Sequence, residues 1–466
     1  MKNAFYNFAL PPPLRRFFGR PRSRAGDLGR YLLGPKPPAA STWIYPQLAT
    51  LPMGWTHALW WCHMLHVRIL EQSGLVVPRQ RLEDGTSPPT MKDPIHTVYV
   101  DNGVFFVRTE AEANASMKAG VEVIERAALP VHDIQPAVRR CEVLGWDIDG
   151  DACRILPRSR RLWRIRLATE CVLRQHTVAA NDVEKLIGHM TFVGLLSRPI
   201  LSVLSAVYCW IAKHRDRPAA ALWLSVRNEL RTFVSLLPLV RADLHREVCQ
   251  KVVATDASGW GYGVVGQWWE KERVTEAMDF KERWRFSRRA ERDLLHMNLP
   301  DSFDPADTHA DTRADTALLP DLPELAPGQV VDTGGAKGWT VIASAAWSRQ
   351  PGHIVEGEAR GIVFGLKHLL RSTDNFGRRL LILSDSLVGV LALVKGRSSA
   401  PSLHAAARAV AAHCLAAGCR LEPRWISTST NPADGPSRGL AFAQVCGSGD
   451  VAPKQRQAEE RGGTRS

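Results

Sequence analysis

The chain has no C-x-x-C pair and no cysteine/histidine cluster at zinc spacing, although it holds nine cysteines. An odd number of unpatterned cysteines excludes both a disulfide framework and a zinc module and points to free thiols in a reducing compartment. No apolar stretch runs uninterrupted for the length of a membrane span. The most apolar run, 192–211, is broken by Arg198-Pro199 and reads as a buried helix pair. The opening MKNAFYNFALPPP lacks the apolar core and cleavage site of a secretory signal. The expected setting is therefore intracellular, cytoplasmic or nuclear, with no membrane. Tyrosine is scarce, six against fifteen tryptophans, and acid is outnumbered by base: the formal charge is +13 and the pI about 9.5. Such a surplus of Lys and Arg favours a polyanionic partner, of which nucleic acid is the commonest. At 466 residues the chain can bury more than one core.

What is present centres on residues 251–264, KVVATDASGWGYGV. The β-branched run Val252–Thr255 predicts a strand that delivers Asp256 to its end. Glu358 lies in HIVEGEARGIVFGLKHLL, where Ile362, Val363, Leu366, Leu369 and Leu370 recur at helical spacing. That places Glu358 in the first turns of an amphipathic helix. Asp385 closes the strand-like LLILSD, and Asp434 sits in the turn NPADGPSR after LEPRWIS. Four carboxylates from a strand, a helix, a strand end and a loop can meet in one pocket. Two divalent cations need such a set, to balance their charge and leave coordination positions for water and phosphate.

Two patterns are set aside. Gly261, Gly263 and Gly266 spell G-x-G-x-x-G after a strand, but a dinucleotide site needs a helix to open there, and QWWEKERVTEAM follows with two tryptophans and no cap. The A-D-T repeats within 299–328 lack the glycine and terminal glutamate of a calcium loop and read as a disordered surface loop.

TDAS, the Glu358 helix with WSRQPGHIVEGEA before and within it, LSDS and NPADGPSR resemble, in order and character, the four catalytic blocks of ribonuclease H from retroelement polyproteins, over roughly 250–440. The resemblance implies Asp256, Glu358, Asp385 and Asp434 as ligands of two Mg²⁺ (Mn²⁺ is the other candidate), with an RNA–DNA hybrid as partner. Residues 1–150 resemble the palm of a retroelement reverse transcriptase. LPMGW (51–55) looks like the block whose helix packs under the template. YVDN (99–102) looks like the hairpin that normally carries two adjacent aspartates, and LGW (144–146) like the primer-grip block. Thr109 and Glu112 form a capping-box pattern for a helix to about 127. VYV, a D-N-G turn and VFFV predict a hairpin.

The resemblance further implies Asp101 as a catalytic metal ligand and Phe5 and Tyr99 as nucleotide-contacting residues. It departs from the family at Asn102, where the second aspartate belongs, and at Asn3. The first-block aspartate would fall before Met1. A neutral amide cannot balance metal charge, so the expectation is a truncated palm with polymerase activity lost or dependent on upstream sequence. Residues 151–248 resemble a thumb and connection. There RILPRSRRLWRIRL interleaves Arg158, Arg160, Arg161 and Arg164 with Trp163, a pattern suited to a nucleic-acid backbone.

The expected organisation is α/β: an α+β palm, a helical connection, and a ribonuclease H-like mixed sheet with flanking helices over 249–440. A disordered insertion is expected at about 270–337, with its charged 270–293 stretch partly helical, and a disordered tail over 441–466. The expected function is Mg-dependent cleavage of RNA in RNA–DNA hybrids; the alternative is a catalytically silent nucleic-acid-binding relic of a mobile element. The oligomeric state and the class of element are not written in the residues.

Overall fold

The computed structural model describes residues 1, 4–31, 38–84, 89, 94–282, 285 and 330–440. The expectations for Asn3, the A-D-T repeats and the 441–466 tail fall outside the described residues. The chain is α/β, as its sequence predicts, and divides into two compact units, Met1–Ala152 and Cys153–Ser466.

In the first unit helix α1 (Thr56–Gln72) packs with the hairpin β1–β2 (Ile95–Tyr99 and Asn102–Phe106) and helix α2 (Glu110–Arg126). The capping box predicted for α2 is formed: Glu112 N–H donates to Thr109 Oγ1 at 3.2 Å, and Thr109 N–H to Glu112 Oε2 at 3.1 Å. A second hairpin, β3–β4 (Arg140–Val143 and Trp146–Asp149), follows.

The first hairpin corrects one expectation. Tyr99 pairs with Asn102, so the two-residue turn is Val100-Asp101, and Asn102 and Gly103 already belong to β2. Val100 takes φ +55°, a conformation a β-branched residue adopts only under constraint. The constraint is burial and capture. Val100 is 7% exposed in the unit's core, its carbonyl meets His66 Nδ1 at 3.1 Å, and its N–H donates to His63 Nδ1 at 3.4 Å. Burial pushes His66 down to about 4, so its neutral ring donates from Nδ1 to Val100. Asn-Gly turn chemistry lost here to a tertiary grip from α1.

The second unit opens with helices α3 (Ser159–Arg174), α4 (Ala180–Gly194), α5 (Ala206–His214) and α6 (Leu224–Leu236), which close on a core including Met190, Trp210, Leu230 and Phe233. By length and composition 180–203 could cross a membrane. In the structure the chain breaks helical geometry at Ser197 beside Pro199, and Val193, Ile200 and Leu204 pack in this core.

A five-stranded sheet follows: β5 (Lys251–Ala257), β6 (Gly261–Trp268), β7 (Thr340–Ala346), β8 (Arg379–Ser384) and β9 (Arg420–Trp425), in the order β7-β6-β5-β8-β9. β6 runs antiparallel to β5 and β7; β8 runs parallel to β5 and β9. β5 and β8 are central and covered on both faces, which is why both read as continuous apolar runs. Val253, Leu380 and Ile382 face helices α8 (Ile354–Leu369), α9 (Leu387–Lys395) and α10 (Pro401–Ala416). Val252, Ala254, Leu381 and Leu383 face α7 (Lys271–Asp279) and the 331–339 segment through Val274, Met278, Val331 and Trp339. Pro423 is accepted because β9 is an edge strand.

The start of the expected insertion is helical. α7 covers a sheet face, and Glu282 beyond it is buried against the edge strand. Its carboxylate accepts from Arg424 Nε at 2.9 Å and from the Trp425 N–H at 2.9 Å, with Arg285 completing the pairing. The charged composition of 270–285 conceals this: the charges of α7 itself are exposed, and among the described residues only Lys281, Glu282 and Arg285 beyond it are partnered inward.

An ion pair clasps the helices and the sheet of this unit. Glu229 on α6, buried, accepts the N–H groups of Ser205, Ala206 and Val207 at the start of α5 (2.8–3.0 Å). Arg408 on α10 donates to Glu229 at 2.9 Å and to the carbonyls of Ser202 and Val203.

Candidate active site

Asp256 stands near the end of β5, where Gly263 of β6 is its antiparallel partner. Glu358 reaches it because α8 lies unusually close to β5. Gly357, Gly361 and Gly365 recur every fourth residue and form a smooth row on the helix. A Cβ at Gly365 would stand 3.0 Å from Thr255 Cγ2 and Val253 Cγ1, and one at Gly361 3.6 Å from the Asp256 carbonyl. Each glycine costs the helix about 1 kcal/mol relative to alanine. Burial of Ile362, Leu366 and Leu369 on the same helix, about 2 kcal/mol each, offsets that. Asp385 follows β8. Its carbonyl accepts from Trp425 Nε1 at 3.0 Å, and Ser386 next to it caps α9. β-sheet register, helix approach and a helix cap thus fix three carboxylates independently.

The result is one cluster. Asp256, Glu358 and Asp385 each present an oxygen, and these lie within 4.8 Å of one another. Among the described residues no other group of three or more His, Cys, Asp or Glu side chains is so placed. Burial, with the charge of neighbouring carboxylates added, pushes Asp256 up to about 7 and Glu358 up to about 9. Glu358 Oε2 and Asp385 Oδ1 are buried without a hydrogen-bond partner. Three converging acids, two of them with an orphaned oxygen, fit a divalent cation: the cation supplies the charge and the bonds that the protein withholds.

Asp434 stands apart from this trio. It begins the short helix α11 (Asp434–Ser437) and interacts electrostatically with Asp256, but its Oδ1 accepts from Arg438 Nε at 3.1 Å and Nη2 at 2.8 Å. The turn that carries it is built against β6. A Cβ on Gly263 would fall 2.6 Å from the Ala433 carbonyl, so glycine is required there. The G-x-G-x-x-G pattern thus lies inside β6 and serves packing. The helix that follows begins only at Lys271, past the strand and with no glycine at its start.

Sequence reasoning passed over Asn431 and Arg438. Buried Asn431 donates from Nδ2 to the Thr255 carbonyl at 3.2 Å, lies 3.5 Å from Asp256 Oδ1, and accepts the Ala433 N–H. The four-residue spacing of Asp434 and Arg438 was a legible signal for their pairing. The two histidines nearest the blocks are ordinary. His353 caps α8, accepting from Val355 N–H at 3.2 Å, and His413 lies in the last turn of α10.

In the first unit Asp101 sits at the hairpin apex with Asn102 Nδ2 3.3 Å from its carboxylate, and no group of three ligating side chains forms around it among the described residues. Tyr99 is 57% exposed, and Phe5 packs on the unit's core. Arg158, Arg160, Arg161 and Arg164 line a groove of about 560 Å³ between α3 and α4, shared with Lys185 and His189. Arg161 stacks on Phe192 at 4.0 Å.

No family model matches the chain, and no curated protein does. Among solved structures the chain is similar to a foamy viral protease-reverse transcriptase in complex with RNA/DNA hybrid (TM-score 0.36, 11% identity), covering 94% of this chain and 66% of that one. It is also similar to a foamy viral protease-reverse transcriptase dRH with double-stranded DNA (TM-score 0.39, 11% identity, 92% and 56%). A third, the foamy viral protease-reverse transcriptase with double-stranded DNA, has TM-score 0.30 and 16% identity, covering 48% and 42%. The chain thus spans less than two thirds of each.

Proposed function

We propose that the second unit is a metal-dependent nuclease that cuts RNA in RNA–DNA hybrids, and that the first unit is a reverse-transcriptase-like palm whose hairpin, with Asn102 beside Asp101, does not support polymerase activity. The observation that carries this reading is the convergence of Asp256, Glu358 and Asp385, with unsatisfied buried oxygens, on one point. Asp256, Glu358 and Asp385 would hold Mg²⁺ or Mn²⁺, and Asp434 would supply a fourth carboxylate. When bound, the cations would make a water acidic enough to attack a phosphate and stabilise the departing 3′-oxygen. The chain's own part is to fix the donors. β5 and Asn431 hold Asp256, the glycine row brings Glu358 against it, and Trp425 and Ser386 steady the Asp385 turn. Arg158, Arg160, Arg161 and Arg164 offer a phosphate track on the same unit. For the palm, Asn102 beside Asp101 leaves one carboxylate where charge balance asks for more.

The test is cleavage of a labelled RNA–DNA hybrid with Mg²⁺ by the full chain and by Asp256→Asn. A loss of at least a hundredfold is expected; equal rates would refute the assignment. The pairing of Asp434 with Arg438 favours a second reading, a nucleic-acid-binding relic, and hybrid binding without any metal-dependent cleavage would select it.

A further inference from the structure

We propose that Arg438 is a positioning residue that sets how readily divalent cations enter the carboxylate cluster, by holding Asp434 back from it. This rests on the reading of that cluster as a metal site. Three acids lie within reach of one cation, and the fourth that the sequence supplies does not join them. The reason is local. Asp434 and Arg438 are four residues apart across α11, and both guanidinium donors converge on one carboxylate oxygen, Oδ1. The turn beneath them is rigid: Ser437 Oγ donates to the Asp434 carbonyl at 2.8 Å, and Asn431 fixes the Ala433 N–H. Arg438 also interacts electrostatically with Asp256 and Asp385. One exposed cation therefore stands at the rim of the acidic cluster and occupies the one carboxylate that a second divalent ion would need.

Two effects follow from the same charge. Without metal, Arg438 relieves repulsion among the acids and favours the folded state. With metal, it competes: a divalent cation that draws on Asp434 must share that carboxylate with the guanidinium or displace it. A salt bridge with only a structural role would give the first effect and leave metal affinity untouched.

The experiment uses the full chain at pH 7.5 and constant ionic strength, and follows the unfolding midpoint of the second unit as MgCl₂ is raised. Arg438→Gln should unfold slightly earlier in EDTA yet reach half of its Mg²⁺-dependent stabilisation at a three- to tenfold lower concentration, roughly the effect of removing one solvent-exposed unit charge beside a divalent ion. Arg438→Lys should restore most of the wild-type midpoint, since a cation returns. Adding Asp434→Asn to Arg438→Gln should cancel the gain, because the freed carboxylate is its source. An unchanged or higher Mg²⁺ midpoint in Arg438→Gln, with the wild type responding normally, would overturn the proposal and leave the metal site standing. No Mg²⁺ response in the wild type would overturn both.

Discussion

Replacing Glu358 by Gln should make the metal-free protein more stable at neutral pH, although it removes a residue from the heart of the site. Burial and the neighbouring acids raise this carboxyl from 4.5 to about 9. The folded state therefore holds a proton that the unfolded chain has given up. Below about pH 4.5 both states are protonated and nothing is lost. As pH climbs through the window from 4.5 to 9, stability falls by about 1.4 kcal/mol per pH unit from this group. At pH 7 the unfolded carboxyl is about 2.5 pH units past its midpoint, so the accumulated penalty is about 3 kcal/mol. Gln keeps the shape and does not titrate. In EDTA, urea unfolding at pH 7 should show Glu358→Gln more stable than wild type by about 1–3 kcal/mol, with the difference vanishing at pH 4. In Mg²⁺ the order should reverse, because the wild type gains binding energy that the variant has surrendered. A variant less stable than wild type in EDTA at both pH values would refute this account of the cluster.

Gly365→Leu should destabilise the second unit by about 2 kcal/mol or more in urea unfolding, since a side chain there drives into Thr255 and Val253. It should also blunt the Mg²⁺-dependent rise in stability by moving Glu358; an unchanged unfolding curve would show that α8 does not rest on its glycines. The first unit should behave oppositely with acid. His66, 6.5 when unfolded and about 4 when folded, contributes stability that is present above pH 6.5 and lost as pH falls toward 4, by about 3 kcal/mol at most. Buried His96, also pushed down to about 4, adds a loss of the same sign, so acid unfolding of the first unit should be lessened by His66→Gln and flattened only when His96→Gln is added.

How much of this was legible in the residues differs by element. β5 and β8 announced themselves as buried strands because both faces are covered, and the capping box of α2 was complete in four letters. Three of the four predicted acids meet. The fourth escaped because its partner, Arg438, acts through an i,i+4 pairing that the search for carboxylates ignored. The hairpin turn was misplaced since local Asn-Gly preference was outweighed by two histidines 34 and 37 residues away. The helix row Gly357, Gly361 and Gly365 was visible but unread: glycine in a helix looks like a weakness until the strand beneath it is known. The end of the 270–285 stretch hid its role for the opposite reason: Lys281 and Glu282 find their partners, Glu422 and Arg424, on the distant strand β9, whereas Asp434 finds its own within one turn.

The Glu229–Arg408 clasp has a bearing on how the nuclease half could be handled. A protein begun near Gln250 would retain the whole sheet and all four acids, yet Arg408 would face emptiness, and the surface of α10 that meets 195–203 would be laid bare. The bundle upstream thus acts as a built-in chaperone face for the sheet. Shortening the molecule to its apparent minimum would trade tidiness for stickiness.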